Sequence, residues 1–303
     1  MDFLYALEKI RVPALNEFML LITQFGEETV FLVAALIIFW CVDKYKGYYI
    51  LSVGFIGTIA NQFMKLWFRI PRPWVLDENF TILEQAREAA SGYSFPSGHT
   101  QSAVGTFGSI AYTTKKPWIR YSALTIAVLV PFSRMYIGVH TPLDVGVAAI
   151  MAIALILLLY PVFADRNRKL IPFLLGIMVA LAIAYFCFIT FYTFPEDIDT
   201  HNLNSGTKNA YTLLGALFGL VTVYIVDEKW LHFPTKAVWW MQIIKVAIGL
   251  GLVLLVKSGL KDPLNLLLGQ YPGRAVRYFL MVIVAGILWP LSFKFFSKIG
   301  AKK

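Results

Sequence analysis

Apolar stretches long enough to cross about 30 Å of hydrocarbon recur from one end of this chain to the other, with no polar block left over for a separate soluble domain. Inside lipid a segment must satisfy its own backbone N–H and C=O groups, so these stretches can only be α-helices. Candidate spans fall at about 26 to 42, 47 to 68, 98 to 113, 118 to 134, 141 to 163, 170 to 192, 209 to 226, 238 to 257 and 276 to 296. The predicted fold class is therefore all-α, a polytopic integral membrane helical bundle of about nine transmembrane spans, with eight as the alternative. Composition agrees: 58% of the 303 residues are hydrophobic and 15% charged, against about 25% charged in soluble domains. Residues 1–25 form an amphipathic N-terminal segment without the basic stretch and cleavage site of a signal peptide, and Asn16 to Gly26 suits an interfacial helix feeding the first span.

The net charge of +9 sits in short clusters between apolar segments. That is the pattern of a membrane surface, and it excludes a nucleic-acid partner, which would need one basic stripe with interleaved aromatics. The basic loops "DKYKG" (43–47), "TKKPWIR" (114–120), "DRNRK" (165–169), "DEKWLHFPTK" (227–236) and the tail "KFFSKIGAKK" alternate with less basic ones. Positive charge stays in the cytoplasm, so loops 69–97, 135–140, 193–208 and 258–275 face the other side. Cys41 and Cys187 each lie inside an apolar run and predict no disulfide. "GALFG" (215–219) spaces two glycines for close helix packing, and Trp239, Trp240 and Trp289 suit interface anchors.

Three stretches place charged and nucleophilic groups near that outer face. "KLWFRIPRPW" carries Lys65 and Arg72, seven residues apart and so on one face of a continued helix, although Pro71 and Pro73 favour ending it. Arg69 in the same stretch suits a snorkelling interface arginine. "SFPSGHTQ" carries Ser97, Gly98 and His99 where an apolar run begins. "PFSRMYIGVHTPLD" carries Arg134, His140 and Asp144, the last two at i and i+4, a spacing that lets the carboxylate fix one imidazole nitrogen and leave the other as a nucleophile. His201 and His232 lie in polar loops without such neighbours and read as solvated.

Together these groups suit holding and cleaving a phosphate monoester or diphosphate. Arginines offer bidentate donors to phosphoryl oxygens, Lys65 adds a compact charge, and Ser97 with the backbone N–H groups at a helix start can complete an anion cradle. No metal or other cofactor is predicted, because two histidines and one carboxylate among cations would repel a divalent ion. A Ser97-His-Asp acyl-transfer triad can also be drawn, but three cations suit a multiply charged oxyanion better than a carbonyl.

These stretches resemble the type 2 phosphatidic acid phosphatases: "KLWFRIPRP" fits the K-x6-R-P signature, "PSGH" the second, and "SRMYIGVHTPLD" the third, S-R-x5-H-x3-D, at every signature position. The resemblance implies a catalytic helical core over 26–192, with 193–303 as additional C-terminal spans. It also implies roles: the histidine matching His140 attacks phosphorus, the aspartate matching Asp144 orients it, and the histidine matching His99 protonates the leaving oxygen. Residues matching Lys65, Arg72, Ser97, Gly98 and Arg134 hold the phosphoryl oxygens. The expectation is a metal-independent hydrolase of a lipid phosphate or isoprenyl diphosphate, working through a phosphohistidine in a bacterial plasma membrane with its site facing outward.

The membrane lipid substrate and the bilayer are the expected partners. A site bordered by Trp74 and Phe80 fits a lipid head entering from the outer leaflet, and the segment 77–93 suits a short amphipathic cap over it. A phosphotransferase using the same phosphohistidine, and a lipid transporter or flippase, are the competing readings. Transport fits poorly with charges gathered at one face instead of along a route across the bilayer.

Overall fold

The computed structural model describes residues 1–87, 90, 92–166 and 169–299. Regular structure among them is entirely helical: α1 (Asp2–Lys9), α2 (Pro13–Gln24), α3 (Glu28–Cys41), α4 (Lys44–Phe68), the single turn α5 (Pro73–Leu76), α6 (Gly98–Thr113), α7 (Pro117–Tyr136), α8 (Pro142–Ala164), α9 (Leu170–Phe191), α10 (Thr200–Val226), α11 (Trp239–Gly259), α12 (Lys261–Leu268), α13 (Gln270–Ile283) and the short α14 (Phe293–Phe296). Proline opens α2, α5, α7 and α8, where a missing N–H costs nothing and the fixed φ is already helical.

Among the described residues five helical segments are long and apolar enough to cross a membrane, or six if α2 and α3, bent by 52° at their junction, make one span. Nine spans are not confirmed by this test of length and apolarity, which α4, α6 and α7 do not pass. With 16 residues, α6 is about 24 Å long, short of the roughly 30 Å hydrocarbon core. α4 carries Lys44, Lys46 and Lys65, and α7 carries Arg120 and Arg134. These are the helices that hold the charged motifs, and their apolarity is spent accordingly.

The chain divides into two compact units. The first comprises Met1–Leu32, Val53–Tyr160 and Phe194–Ser205. In it α6 and α7 pack along each other, and α1 and α2 lie against α7. Ile22 meets Ala103 and Val130 in one buried cluster, and Met19 meets Tyr136, Ile137 and Val139 in another. The amphipathic N-terminal residues thus bury their apolar face against protein. Polar clamps reinforce them: Tyr5 Oη donates to Asp77 at 2.9 Å, and Arg11 donates to the carbonyls of Tyr136 (3.0 Å) and Thr81 (2.9 Å).

The second unit comprises Val33–Ser52, Pro161–Thr193 and Gly206–Lys303. Gly215 and Gly219 bring α10 against α13, as their spacing predicts. Lys245 is buried in α11, where its Nζ donates to the carbonyls of Trp40 (2.8 Å) and Thr235 (3.0 Å) and sits 4.0 Å above the Phe293 ring. Trp289 is not the interface anchor its type suggests: it is buried and donates to the Lys245 carbonyl at 3.0 Å, whereas Trp239 is 75% exposed. Asn167 and Arg168 of the basic loop and residues 300–303 of the tail lie outside the described residues.

A Cβ at Gly215 would come within 2.0 Å of the Ala275 carbonyl oxygen, and backbone cannot yield as a side chain can. Gly215→Val should therefore cost about 1–3 kcal/mol, read as a lowered melting temperature in detergent. Gly251→Ala, at a site with nothing within 4 Å, should leave it unchanged or raised. Equal melting temperatures for Gly215→Val and wild type would refute the packing account.

Candidate active site

Three chain breaks position the charged motifs. α4 stops at Phe68 because Arg69 takes a left-handed φ of 51°, and Arg72 then lies in extended backbone (φ −72°, ψ 157°) ahead of α5. Lys65 and Arg72 therefore converge from a helix end and a turn, not from one continued helix face. α6 begins at Ser97, whose Oγ accepts from the Thr100 N–H at 3.4 Å, so Gly98 and His99 form the first turn. α7 ends at Tyr136, Gly138 turns the chain at φ 87°, and α8 starts at Pro142.

Asp144 fixes that last helix start. Its Oδ2 accepts from the Thr141 N–H at 2.7 Å, and its own N–H donates to Thr141 Oγ1 at 3.2 Å, a reciprocal capping pair. The same Oδ2 lies 3.4 Å from His140 Nδ1, beyond an ordinary N–H···O bond. Ser94 shares this side of the ring. Its hydroxyl donates to Asp144 Oδ2 and its Oγ is 3.4 Å from His140 Nδ1. Asp144 and Ser94 thus each set an oxygen 3.4 Å from Nδ1 and together line that side of the ring.

The other ring nitrogen faces a cation. Arg72 Nη1 lies 2.9 Å from His140 Nε2 and also donates to the Val139 carbonyl at 2.8 Å, while its Nε donates to the Gly92 carbonyl at 2.8 Å. Guanidinium can only donate, so Nε2 is the acceptor, Nδ1 carries the hydrogen, and the Nε2 lone pair points at Arg72. Lys65 Nζ donates to the Tyr93 carbonyl at 2.7 Å, and the Ser97 N–H donates to the Asp144 carbonyl at 3.1 Å. Arg72, Ser97, Arg134, His140 and Asp144 are all buried.

Arg134 reaches the cluster through the chain reversal that bonds the Val139 N–H to its carbonyl at 3.1 Å. Its Nε is buried and finds no acceptor among the described residues, an orphaned donor of the kind that an anion satisfies. His99 is half-buried, and burial first, then the charges of Arg134, Arg72 and Lys65, hold its imidazolium well below the ordinary range, a shift that a nearby phosphoryl dianion opposes. All eight residues picked out in the sequence therefore gather in the first unit. Burial first, then the charges of Arg72, Arg134 and Lys65, hold the His140 imidazolium far below its ordinary 6.5, so the ring is neutral. Burial lowers the Arg72 guanidinium to about 10, partly offset by Asp144, which leaves it charged at neutral pH.

Several contributors carry no readable signal in the chain. Ser94 looks like any loop serine until the fold sets it between Asp144 and His140. Asn61, one turn before Lys65, donates to the Pro96 carbonyl at 3.3 Å, and Asn202 Oδ1 accepts from the Tyr93 N–H at 3.0 Å. Among its described residues the segment 77–93 holds no α-helix: it carries the 3₁₀ turn Glu84–Ala86, and the Leu83 N–H donates to the Ile137 carbonyl at 3.1 Å. Glu88, Ala89 and Ser91 of that segment lie outside the described residues. Phe80 is buried with Leu4 and Ile82, and Trp74 packs against this cluster. Trp74 also lies 5.9 Å from the Arg72 guanidinium. Among the described residues no group of three or more His, Cys, Asp or Glu side chains could hold a metal ion.

The sequence model of the PAP2 superfamily matches residues 45–168, and that of the PAP2 superfamily phosphatase, transmembrane extension, matches 211–302. Phosphatidylglycerophosphatase B of Bacillus subtilis (strain 168) is 34% identical over 149 residues, 45% of this chain and 69% of that protein. Undecaprenyl-diphosphatase BcrC of the same organism is 30% identical over 128 residues, 42% of this chain and 63% of the relative. A probable sphingosine-1-phosphate phosphatase of Dictyostelium discoideum is 31% identical over 225 residues, 68% of this chain and 51% of the relative. The chain thus spans about half to two thirds of the length of these relatives.

The geometry makes the state of His140 measurable. In imidazole-nitrogen NMR spectra its ring should stay neutral at pH 6, where an ordinary histidine of pKa 6.5 is mostly protonated. Because the native state holds this proton more weakly than the unfolded chain, its contribution to stability is present above 6.5 and lost on acidification. A His140 signal titrating at or above 6.5 would contradict the arrangement.

Proposed function

The chain belongs to the PAP2 superfamily of membrane phosphatases, and on that premise we propose that it hydrolyses a lipid phosphate monoester or an isoprenyl diphosphate through a phosphohistidine at His140. The observation that carries this reading is the line Asp144, Ser94, His140, Arg72: the carboxylate and hydroxyl face Nδ1, and the Nε2 lone pair faces a guanidinium 2.9 Å away. A phosphoryl group entering there takes over the Arg72 donor with one of its oxygens while Nε2 meets phosphorus. Lys65 and the Arg134 Nε offer further positive charge to a dianion.

In the first step Nε2 forms a bond to the terminal phosphorus, its bond to the leaving oxygen (the lipid oxygen of a monoester, the bridging oxygen of a diphosphate) breaks, and His99 gives that oxygen its proton. The proton stays on Nδ1, facing Asp144 and Ser94, which stabilise the charge that the ring acquires. In the second step His99 takes a proton from water, the water oxygen bonds to phosphorus, and the bond to Nε2 breaks, releasing phosphate and restoring neutral His140. Ser97, Gly98 and the backbone at the start of α6 cradle the equatorial oxygens. Charge neutralisation falls to Lys65, Arg72 and Arg134, so the cycle runs without a divalent ion.

Relatives of this chain bear the names of different lipid phosphatases, which supports the phosphorylated lipid head as the common element of substrate. The positive-inside pattern of the loops supports a site on the outer face of a bacterial plasma membrane.

Two measurements test the reading. Phosphate release from a panel of phosphatidylglycerol phosphate, undecaprenyl diphosphate, phosphatidate and sphingosine phosphate should persist in EDTA for at least one member. It should fall by roughly 10³-fold or more in His140→Ala and about 10²–10⁴-fold in His99→Ala. A fully active His140→Ala sinks the mechanism. For orientation, a cysteine at Leu76, which is 55% exposed, in a chain with both native cysteines replaced by serine, should react with an impermeant maleimide added outside intact cells. Labelling only after lysis would reverse the assignment.

A further inference from the structure

The turn joining α2 to α3 lies outside residues 45–168, yet it touches two of the proposed site residues. Thr23, in the last turn of α2, is buried, and its Oγ1 accepts from Arg134 Nη1 at 2.7 Å. That bond commits one end of the guanidinium, and the buried Nε remains without an acceptor among the described residues. Three residues on, a Cβ at Gly26 would lie 2.8 Å from His99 Cβ, 2.9 Å from the His99 carbonyl oxygen and 2.9 Å from Val130 Cγ1. The carbonyl is backbone and cannot rotate away, so any side chain at 26 pushes the first turn of α6, and His99 with it. Ile22 anchors the turn by packing on Ala103 of α6 and Val130 of α7.

We propose that the α2–α3 turn is an active-site element in which Thr23 is a positioning residue for Arg134 and Gly26 sets the depth of His99. The inference rests on the reading above that Arg134 holds phosphoryl oxygens and His99 protonates the leaving oxygen. Thr23 aims a charge at the phosphoryl group, so its loss weakens binding of that group. Gly26 sets the acid, so its loss weakens protonation of the leaving oxygen. A lipid alkoxide is a poor leaving group and needs that proton; p-nitrophenolate does not.

The test uses the purified full chain with Thr23→Val, Thr23→Ser and Gly26→Ala, melting temperatures recorded alongside. Thr23→Val should weaken inhibition by orthovanadate and raise KM for the lipid phosphate, each by about tenfold, the scale of a hydrogen bond to a charged group. Thr23→Ser, which keeps the acceptor, should restore both to within about twofold. Gly26→Ala should lower kcat for the lipid phosphate much more than for p-nitrophenyl phosphate. Wild-type vanadate affinity in a folded Thr23→Val overturns the inference, whatever Gly26→Ala does. No phosphate release by wild type, or full activity in His140→Ala, overturns the phosphatase reading itself and is distinguishable from failure at Thr23.

Discussion

The rest of the site depends on one buried carboxylate. Asp144 Oδ2 receives the Thr141 N–H and the Ser94 hydroxyl and faces His140 Nδ1, so a single oxygen starts a helix, holds a loop and orients an imidazole. A carboxylate out of water is costly unless its lone pairs are filled and cations are near. Both conditions are met, since Asp144 also acts electrostatically on Lys65 and Arg72. The converse holds for the cations. Arg72 and Arg134 tolerate burial because backbone carbonyls, Thr23 and Asp144 surround them, and in the proposed reaction the charge left over is met by a phosphoryl dianion.

Close helix approach is the second constraint, and small residues supply it separately in each unit. In the first, Gly26 admits the first turn of α6, and Gly57 admits the Gln101 amide, whose nitrogen would lie 1.6 Å from a Cβ there. In the second, Gly215, Gly219 and Gly286 let α10 meet α13 and the π-turn that follows it. Without a solvent-driven hydrophobic force between helices in lipid, such backbone proximity and internal hydrogen bonds carry the packing. Lys245 shows the polar version, a buried ammonium that ties the end of α3 to α11 through two carbonyls.

Much of the site was legible because its chemistry is concentrated in short stretches. Lys65, Arg72, Ser97, His99, Arg134, His140 and Asp144 stand out as ionisable or capping residues at the edges of apolar runs, where a bilayer protein has little reason to keep them otherwise. Ser94, Asn61, Thr23 and Asn202 were not legible, since a serine or asparagine in a loop acquires a role only from what the fold sets beside it. The nine-span count is left unconfirmed for a related reason. Counting apolar stretches treats α4, α6 and α7 as lipid-facing, but their polar residues, Asn61, Thr100, Gln101, Thr106 and Arg134 among them, are buried against protein.

By itself the sequence determined the solvent, the helical class and the chemistry, because apolar length permits only helices in lipid and because clustered cations with two histidines suit phosphate. It also determined where helices begin, through Pro13, Pro117, Pro142 and the Ser97 cap. Tertiary structure alone decided which nitrogen of His140 faces Asp144 and which faces Arg72. It also decided that the N-terminal helices lie against the site, and that Trp289 and Phe80 turn inward. Those outcomes depend on contacts between residues far apart in the chain, such as Thr23 with Arg134 and Ser94 with Asp144. Local spacing and periodicity carry no record of such pairs, since each forms only when packing brings the two backbones within reach.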